Sequence, residues 1–304
     1  MTTEIQSAYL APEGLMELLK KEVDGMVAVH DRLILSSEPF IKAHWAQNIW
    51  KNPITLSIDS INDGAKQLKS IQRNWCLYSF TLHRRAKLIE EKLNSRAQNP
   101  LPFPATIPKV ALGSWCLLDE NTLLASSDCS SPFPNGEPEF IEDKKGPPNR
   151  AYLKLYEALT LAGKTPKAGD FCIDIGGSPG GWAWVIQKCD AEVLSIDRSP
   201  LDQKVSRLKG VLFEKRDAFS VLPDEFAGRK VDWLFSDVIC FPEKLYDWLR
   251  VWIDSGVCKN FICTIKFKGE PEIEIIKKFA AIPKSKVVHL FHNKNELTFI
   301  KLKT

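Results

Sequence analysis

The chain has 304 residues, 44% of them hydrophobic and 26% charged, enough to bury a full core and more than one typical domain needs. Its 16 Gly and 19 Pro show no period, which excludes collagen-like, low-complexity and solenoid architectures. Lys and Arg number 41 against 38 Asp and Glu, a formal +3, so bulk charge selects no partner and only its distribution is informative.

In chain order, the start from Met1 to Val23 lacks a basic segment followed by an apolar stretch, and no apolar run reaches the roughly 18 to 20 residues of a membrane span. The expectation is a chain neither secreted nor membrane-spanning. The eight cysteines are scattered without a CxxC, as in a reducing compartment, so a cytoplasmic location, no disulfide and no zinc site are expected.

Residues 1–127 mix helix-like pieces (Glu13 to Val23, Arg84 to Ser95) with strand-like ones (Val27 to Leu35, Val110 to Leu118), which predicts a smaller α+β domain. Between residues 65 and 109 stand Lys66, Lys69, Arg73, Arg84, Arg85, Lys87, Lys92, Arg96 and Lys109 against Glu90 and Glu91, with Trp75, Tyr78 and Phe80 interleaved. Cations with aromatics suit a phosphate backbone and unstacked bases. A solvated helix face beside core aromatics is the other reading. Residues 128–149, rich in Pro, Ser, Gly and acids, read as a linker or long surface loop.

Residues 150–304 alternate apolar strand-like runs with helical segments, the signature of an α/β domain with a mainly parallel sheet. The strands are expected at Phe171 to Gly176, Val193 to Asp197, Val211 to Lys215, Asp232 to Asp237 and Phe261 to Lys266, with a helix over Pro242 to Ser255. The last two runs, Val287 to Phe291 and Glu296 to Leu302, are too close for a crossover helix, so the sheet should close with an antiparallel pair.

The most specific motif is Asp174-Ile-Gly-Gly-Ser-Pro-Gly-Gly-Trp182, between the first strand and a helix. Gly176, Gly180 and Gly181 allow a tight turn and close approach of a nucleotide-like ligand to backbone amides. Pro179 fixes φ as the loop enters the helix. Ser178 replaces the middle glycine of GxGxxG, which argues against a nicotinamide cofactor and an oxidoreductase. Asp197 ends the second strand, where a carboxylate meets ribose hydroxyls, and Asp217 follows the third, where one can accept an adenine amino group. Taken singly, each acid could equally cap a turn.

This loop resembles the S-adenosylmethionine loop of the FtsJ-like RNA 2′-O-methyltransferases. The resemblance implies a Rossmann-like sheet with a C-terminal antiparallel strand pair, S-adenosylmethionine as cofactor, no metal, and an RNA substrate. It identifies Asp174, Gly176, Ser178, Pro179, Gly180, Gly181, Trp182, Asp197, Asp217 and Asp237 as cofactor-binding. The family's Lys-Asp-Lys-Glu catalytic tetrad finds matches in Lys154, Asp237, Lys266 and Glu296. It implies Lys266 as general base, Asp237 steering it, and Lys154 and Glu296 tuning charge and position.

The Lys-Leu-x-Glu-Ala of Lys154 to Ala158, the Trp248 to Cys258 region, the Ser131-Pro-Phe133 loop and the tail around Glu296 are similar to members that modify a ribose of 23S ribosomal RNA. Those members carry a larger N-terminal RNA-binding region with a THUMP domain, which residues 1–127 would replace in reduced form. Gly177-Ser178 and Ala151 depart from the family's common residues without removing a catalytic group. The reading from a different class is a non-catalytic RNA-binding protein that retains the methyltransferase fold.

Overall fold

The computed structural model describes residues 4–93, 99–107 and 110–303. Arg96, Lys109 and the expected end of the second helix at Ser95 lie outside them. The chain forms two compact units, the first from residues 1–101 and 107–139, the second from 102–106 and 140–304. The segment anticipated as a linker is therefore divided between them. Its first residues pair as a strand on the first unit instead of running free.

The first unit runs β1 (Ser7–Leu10), α1 (Met16–Lys20), β2 (Met26–His30), β3 (Leu33–Ser36), β4 (Asn48–Lys51), β5 (Ile54–Ser57), α2 (Ile61–Ile71), β6 (Trp75–Leu77), α3 (His83–Leu93), β7 (Gly113–Leu117), β8 (Thr122–Ser126) and β9 (Asp128–Cys129). The single strand expected over Val27 to Leu35 is a hairpin. Asp31 takes φ 54°, a left-handed conformation that Asp tolerates, and reverses the chain there. The helix expected from Glu13 to Val23 contracts to Met16–Lys20.

Two sheets result, in the orders β2-β3-β1-β4-β9 and β5-β8-β7-β6. Alternation on β7 and β8 assigns the layers. Trp115, Leu117, Leu123 and Ala125 pack with α2 and α3 residues such as Leu68 and Ile89. Cys116 and Leu124 pack the other way, against Leu10, Leu35 and Trp50 of the five-stranded sheet. Helix α2 begins at Ser60, whose side chain accepts from the Asp63 amide. That cap, with Ile61, Ala65 and Leu68 on one face against the core, sets a helix that the sequence reading of residues 1–127 did not include.

The second unit comprises α4 (Tyr152–Ala162), β10 (Phe171–Ile175), α5 (Gly181–Lys188), β11 (Glu192–Asp197), α6 (Gln203–Ser206), β12 (Val211–Lys215), β13 (Val231–Ser236), α7 (Pro242–Ser255), β14 (Cys258–Lys266), α8 (Ile273–Ala280), β15 (Ser285–Val288) and β16 (Glu296–Lys301). Its seven-stranded sheet has the order β12-β11-β10-β13-β14-β16-β15. The first five strands are parallel, with β10 and β13 buried at every position. β16 inserts antiparallel between β14 and β15.

This insertion sets the register Lys266↔Glu296 across the β14–β16 pair. Two residues 30 positions apart thus become direct cross-strand neighbours. β15 stops at Val288, short of the expected Phe291. The Glu157 carboxylate accepts the Phe291 and His292 amides at 2.8 and 3.1 Å, drawing that backbone off the sheet. No helix among the described residues is long and apolar enough to cross a membrane.

Candidate active site

The strand order reverses at β10, between β11 on one side and β13 on the other, and open α/β sheets bind ligands outside the carboxyl ends of strands at such a switch point. There Gly176 takes φ 75°, and a Cβ on it would lie 2.8 Å from Val238 Cα, so only glycine lets the loop pass the chain leaving β13. At Gly177 a Cβ would fall 1.9 Å from Ser195 Oγ and 2.5 Å from Asp174 Oδ2. A side chain at Gly177 would therefore have to displace the Ser195 hydroxyl and the Asp174 carboxylate, whereas at Gly176 it would meet backbone.

Asp174 is fully buried beneath the loop. Its Oδ2 receives Ser195 Oγ at 3.3 Å. Burial, offset in part by Ser195 and aggravated by Asp237 and Asp197, pushes this carboxyl up to about 7. Asp174 supports the loop from below and does not open on the cleft. Trp182 behaves similarly. It is 4% exposed, and its Nε1 donates to Ala151 O at 3.0 Å, tying α5 to the start of α4.

Ser178 is fastened to the next strand end. Its amide donates to Asp197 Oδ2 at 3.1 Å and its hydroxyl to Pro200 O at 2.9 Å. Asp197 Oδ1 accepts the Ser199 amide at 2.8 Å. Asp217 caps the turn after β12 through Phe219 N at 2.9 Å and pairs with the Arg198 guanidinium. Both acids thus hold turns, and each carboxylate oxygen keeps a further lone pair for a ligand.

Gly180, at φ 110°, precedes α5 without a side-chain cap, so the first amides of that helix face the loop. Uncapped amides, carboxylates at the ends of β11 and β12, and glycines admitting close approach suit the amino acid and nucleoside parts of S-adenosylmethionine. The site residues fit that cofactor.

Beside the loop, four side chains from four elements converge. Lys154, on buried helix α4, sends Nζ to both oxygens of Asp237 at 2.9 Å and to Glu296 Oε1 at 2.9 Å. Lys266 Nζ donates to Asp237 O at 2.6 Å and lies 3.0 Å from Asp237 Oδ1. The side chains of Lys154 and Glu296 are 11% exposed, those of Asp237 and Lys266 19% and 21%. The inner pair is thus closed off and the outer pair reaches the cleft.

Burial by itself would lower the Lys154 ammonium, but the Asp237 and Glu296 carboxylates outweigh it and hold that lysine above its ordinary value. Lys154 is therefore a fixed cation bridging two acids. Asp237 is the hub, linked to both lysines. Glu157, one turn beyond Lys154 on α4, was visible in the sequence only as part of a shared motif. Besides the two amides already described, it receives His292 Nδ1 at 2.7 Å. It clamps the loop that leads into Glu296. Among the described residues no cluster could hold a metal ion.

A switch-point glycine loop, acids at successive strand ends and an antiparallel β16 define a Rossmann-like methyltransferase domain. Residues 147–296 match the family model described as FtsJ-like methyltransferase, and the second unit belongs to that family. A similar curated protein is the ribosomal RNA large subunit methyltransferase M of Xanthomonas oryzae pv. oryzae (strain PXO99A), 28% identical over 262 residues, covering 80% of this chain and 70% of that protein. The protein of the same name from Azoarcus sp. (strain BH72) is 29% identical over 187 residues, covering 56% and 50%. Among solved structures, Aeropyrum pernix fibrillarin in complex with S-adenosyl-L-methionine matches with a TM-score of 0.36 at 17% identity, covering 64% of this chain and 84% of that one.

Proposed function

We propose that the second unit transfers a methyl group from S-adenosylmethionine to a ribose 2′-hydroxyl of RNA, with ribosomal RNA, and within it 23S RNA, as the substrate. The observation that carries this reading is the joining of Lys154, Asp237, Lys266 and Glu296 into one hydrogen-bonded cluster beside the glycine loop. Two structural ion pairs would not need Asp237 to serve both lysines.

The bound cofactor supplies a methyl group on a sulfonium, a good leaving group for in-line displacement. The chain's residues hold the acceptor oxygen on that line and remove its proton as the C–O bond forms and the C–S bond breaks. Lys266, at the cleft side of the cluster, contacts the hydroxyl and receives the proton. Asp237 fixes the Lys266 amine through both its carboxylate and its main-chain oxygen. Lys154 neutralises Asp237 and Glu296, keeping two buried acids from repelling each other. Gly176, Ser178, Pro179, Gly180, Gly181 and Asp197 hold the cofactor, Asp217 meets its adenine, and Asp174 and Trp182 brace the loop. The first unit, with its exposed cations on α2 and α3, supplies RNA contacts, and the chain works in the cytoplasm.

Lys266→Ala is expected to abolish transfer of labelled methyl to ribosomal RNA while leaving S-adenosylmethionine affinity within a few-fold by calorimetry. Transfer that survives the substitution would remove Lys266 from the mechanism.

A further inference from the structure

The chain leaving β13 carries an exposed apolar rim that the donor loop and the tetrad do not use. Ile239 is 86% exposed and Phe241 62%, although both follow the cluster's hub within four residues. Exposing such side chains forgoes the burial that normally stabilises them, so a rim of this kind at a reaction centre calls for an occupant.

The rim is held in place on two sides. Val238 packs against Gly176 of the glycine loop, where no side chain would fit. Lys266 grips the Asp237 carbonyl that begins the segment. At the far end Phe241 is the N-cap of α7, fixed at φ −70° and ψ 141° before Pro242, with its carbonyl accepting Leu245 N at 3.2 Å. A residue ahead of proline at the head of a 14-residue helix loses little freedom on binding. The aromatic ring is thus presented from a rigid base. Its backbone lies within about 14 Å of Asp237, four residues at the reach of an extended chain.

We infer that Ile239 and Phe241 form the seat for the base of the acceptor nucleotide, Phe241 stacking on its face and Ile239 covering its edge. The inference rests on the proposed RNA methyl transfer and adds the element that orients the target nucleoside. A ribose hydroxyl brought to Lys266 carries its base no more than a few ångströms away. The rim starts at the Asp237 carbonyl held by Lys266 and at Val238 against Gly176, and its two exposed apolar side chains follow within four residues of that start. A π-face is shared by every base, so the seat orients the nucleotide without selecting its identity.

The test compares the full-length wild type with Phe241→Ala, Phe241→Trp and Ile239→Ser. One arm measures affinity for a 12-nucleotide oligouridylate in the presence of S-adenosylhomocysteine. A second measures labelled methyl transfer to ribosomal RNA, and a third S-adenosylmethionine affinity by calorimetry. Phe241→Ala is expected to weaken oligouridylate binding by about 5- to 150-fold, the range for losing one stacked base, and to lower kcat/KM for RNA similarly. Phe241→Trp should retain both, Ile239→Ser should show a smaller loss, and cofactor affinity should stay within two-fold throughout.

Unchanged oligouridylate affinity in Phe241→Ala, or a Phe241→Trp protein as impaired as the alanine variant, overturns the seat. If the wild type transfers no methyl but its RNA affinity still depends on Phe241, the enzymatic reading falls and the seat stands.

Discussion

The two units place their charged groups in opposite ways. In the second, a few of them are buried and joined beside the sheet, with one lysine serving two acids. In the first, the charged side chains are spread over α2, α3 and the turn after α2, where Lys66, Lys69, Arg73, Arg84, Lys87 and Lys92 all face solvent, while the core beneath is apolar. Buried polar groups act strongly and singly, because each has given up water for a specific partner. Exposed cations act weakly and in sum.

That contrast predicts a hierarchy of effects. Lys154→Ala should be the most severe, since it strands two acids that share one buried cation. A loss of about 3–5 kcal/mol in urea unfolding is expected, with at least ~100-fold lower methyl transfer. Near-normal stability in that variant would mean that the site is as well solvated as the first unit's surface.

Asp174→Asn should act with the opposite sign. The fold raises the Asp174 carboxyl to about 7, well above its ordinary value. Its favourable contribution is therefore complete below the unfolded carboxyl range near pH 4 and is lost as pH rises through about 7. The asparagine variant should lack that decline, and by pH 8 it should exceed the wild type by on the order of 4 kcal/mol in unfolding free energy. Parallel pH profiles for the two proteins would show that Asp174 is ionised in the fold.

The smallest effect belongs to the first unit. Arg73→Ala combined with Arg84→Ala should weaken RNA binding only several-fold. It should reduce the slope of log affinity against log salt by about 1 for each phosphate no longer neutralised. An unchanged slope would separate that surface from RNA. A total loss of binding would make it as concentrated as the tetrad, and the contrast between the units would fail.

The same difference explains what could be read from the sequence. Parallel strands buried on both faces appear as continuous apolar runs, so β10 and β13 were visible within a few residues, and the glycine loop and acids punctuate the ends of the strands around them. The four tetrad positions could be named by resemblance, yet their connection could not. It depends on β16 inserting beside β14, which brings Glu296 opposite Lys266, and no local pattern encodes that insertion. Nor could a sequence show that Glu157 ends β15, that Gly177 leaves room for Asp174 and Ser195, or that Trp182 bonds inward. In the first unit, short strands turn at positions such as Asp31, whose left-handed backbone is set by tertiary pairing, and a single long strand was the natural but incorrect expectation.

The claim that this cluster delivers a methyl group to a ribose hydroxyl is tested most directly by the chemistry of the product. Ribosomal RNA labelled by the protein with methyl-tritiated S-adenosylmethionine should be hydrolysed in alkali and its fragments separated by size. A methylated 2′-oxygen cannot attack the neighbouring phosphate, so the label should appear in alkali-resistant dinucleotides. Label recovered in mononucleotides would place the methyl group on a base and contradict the account.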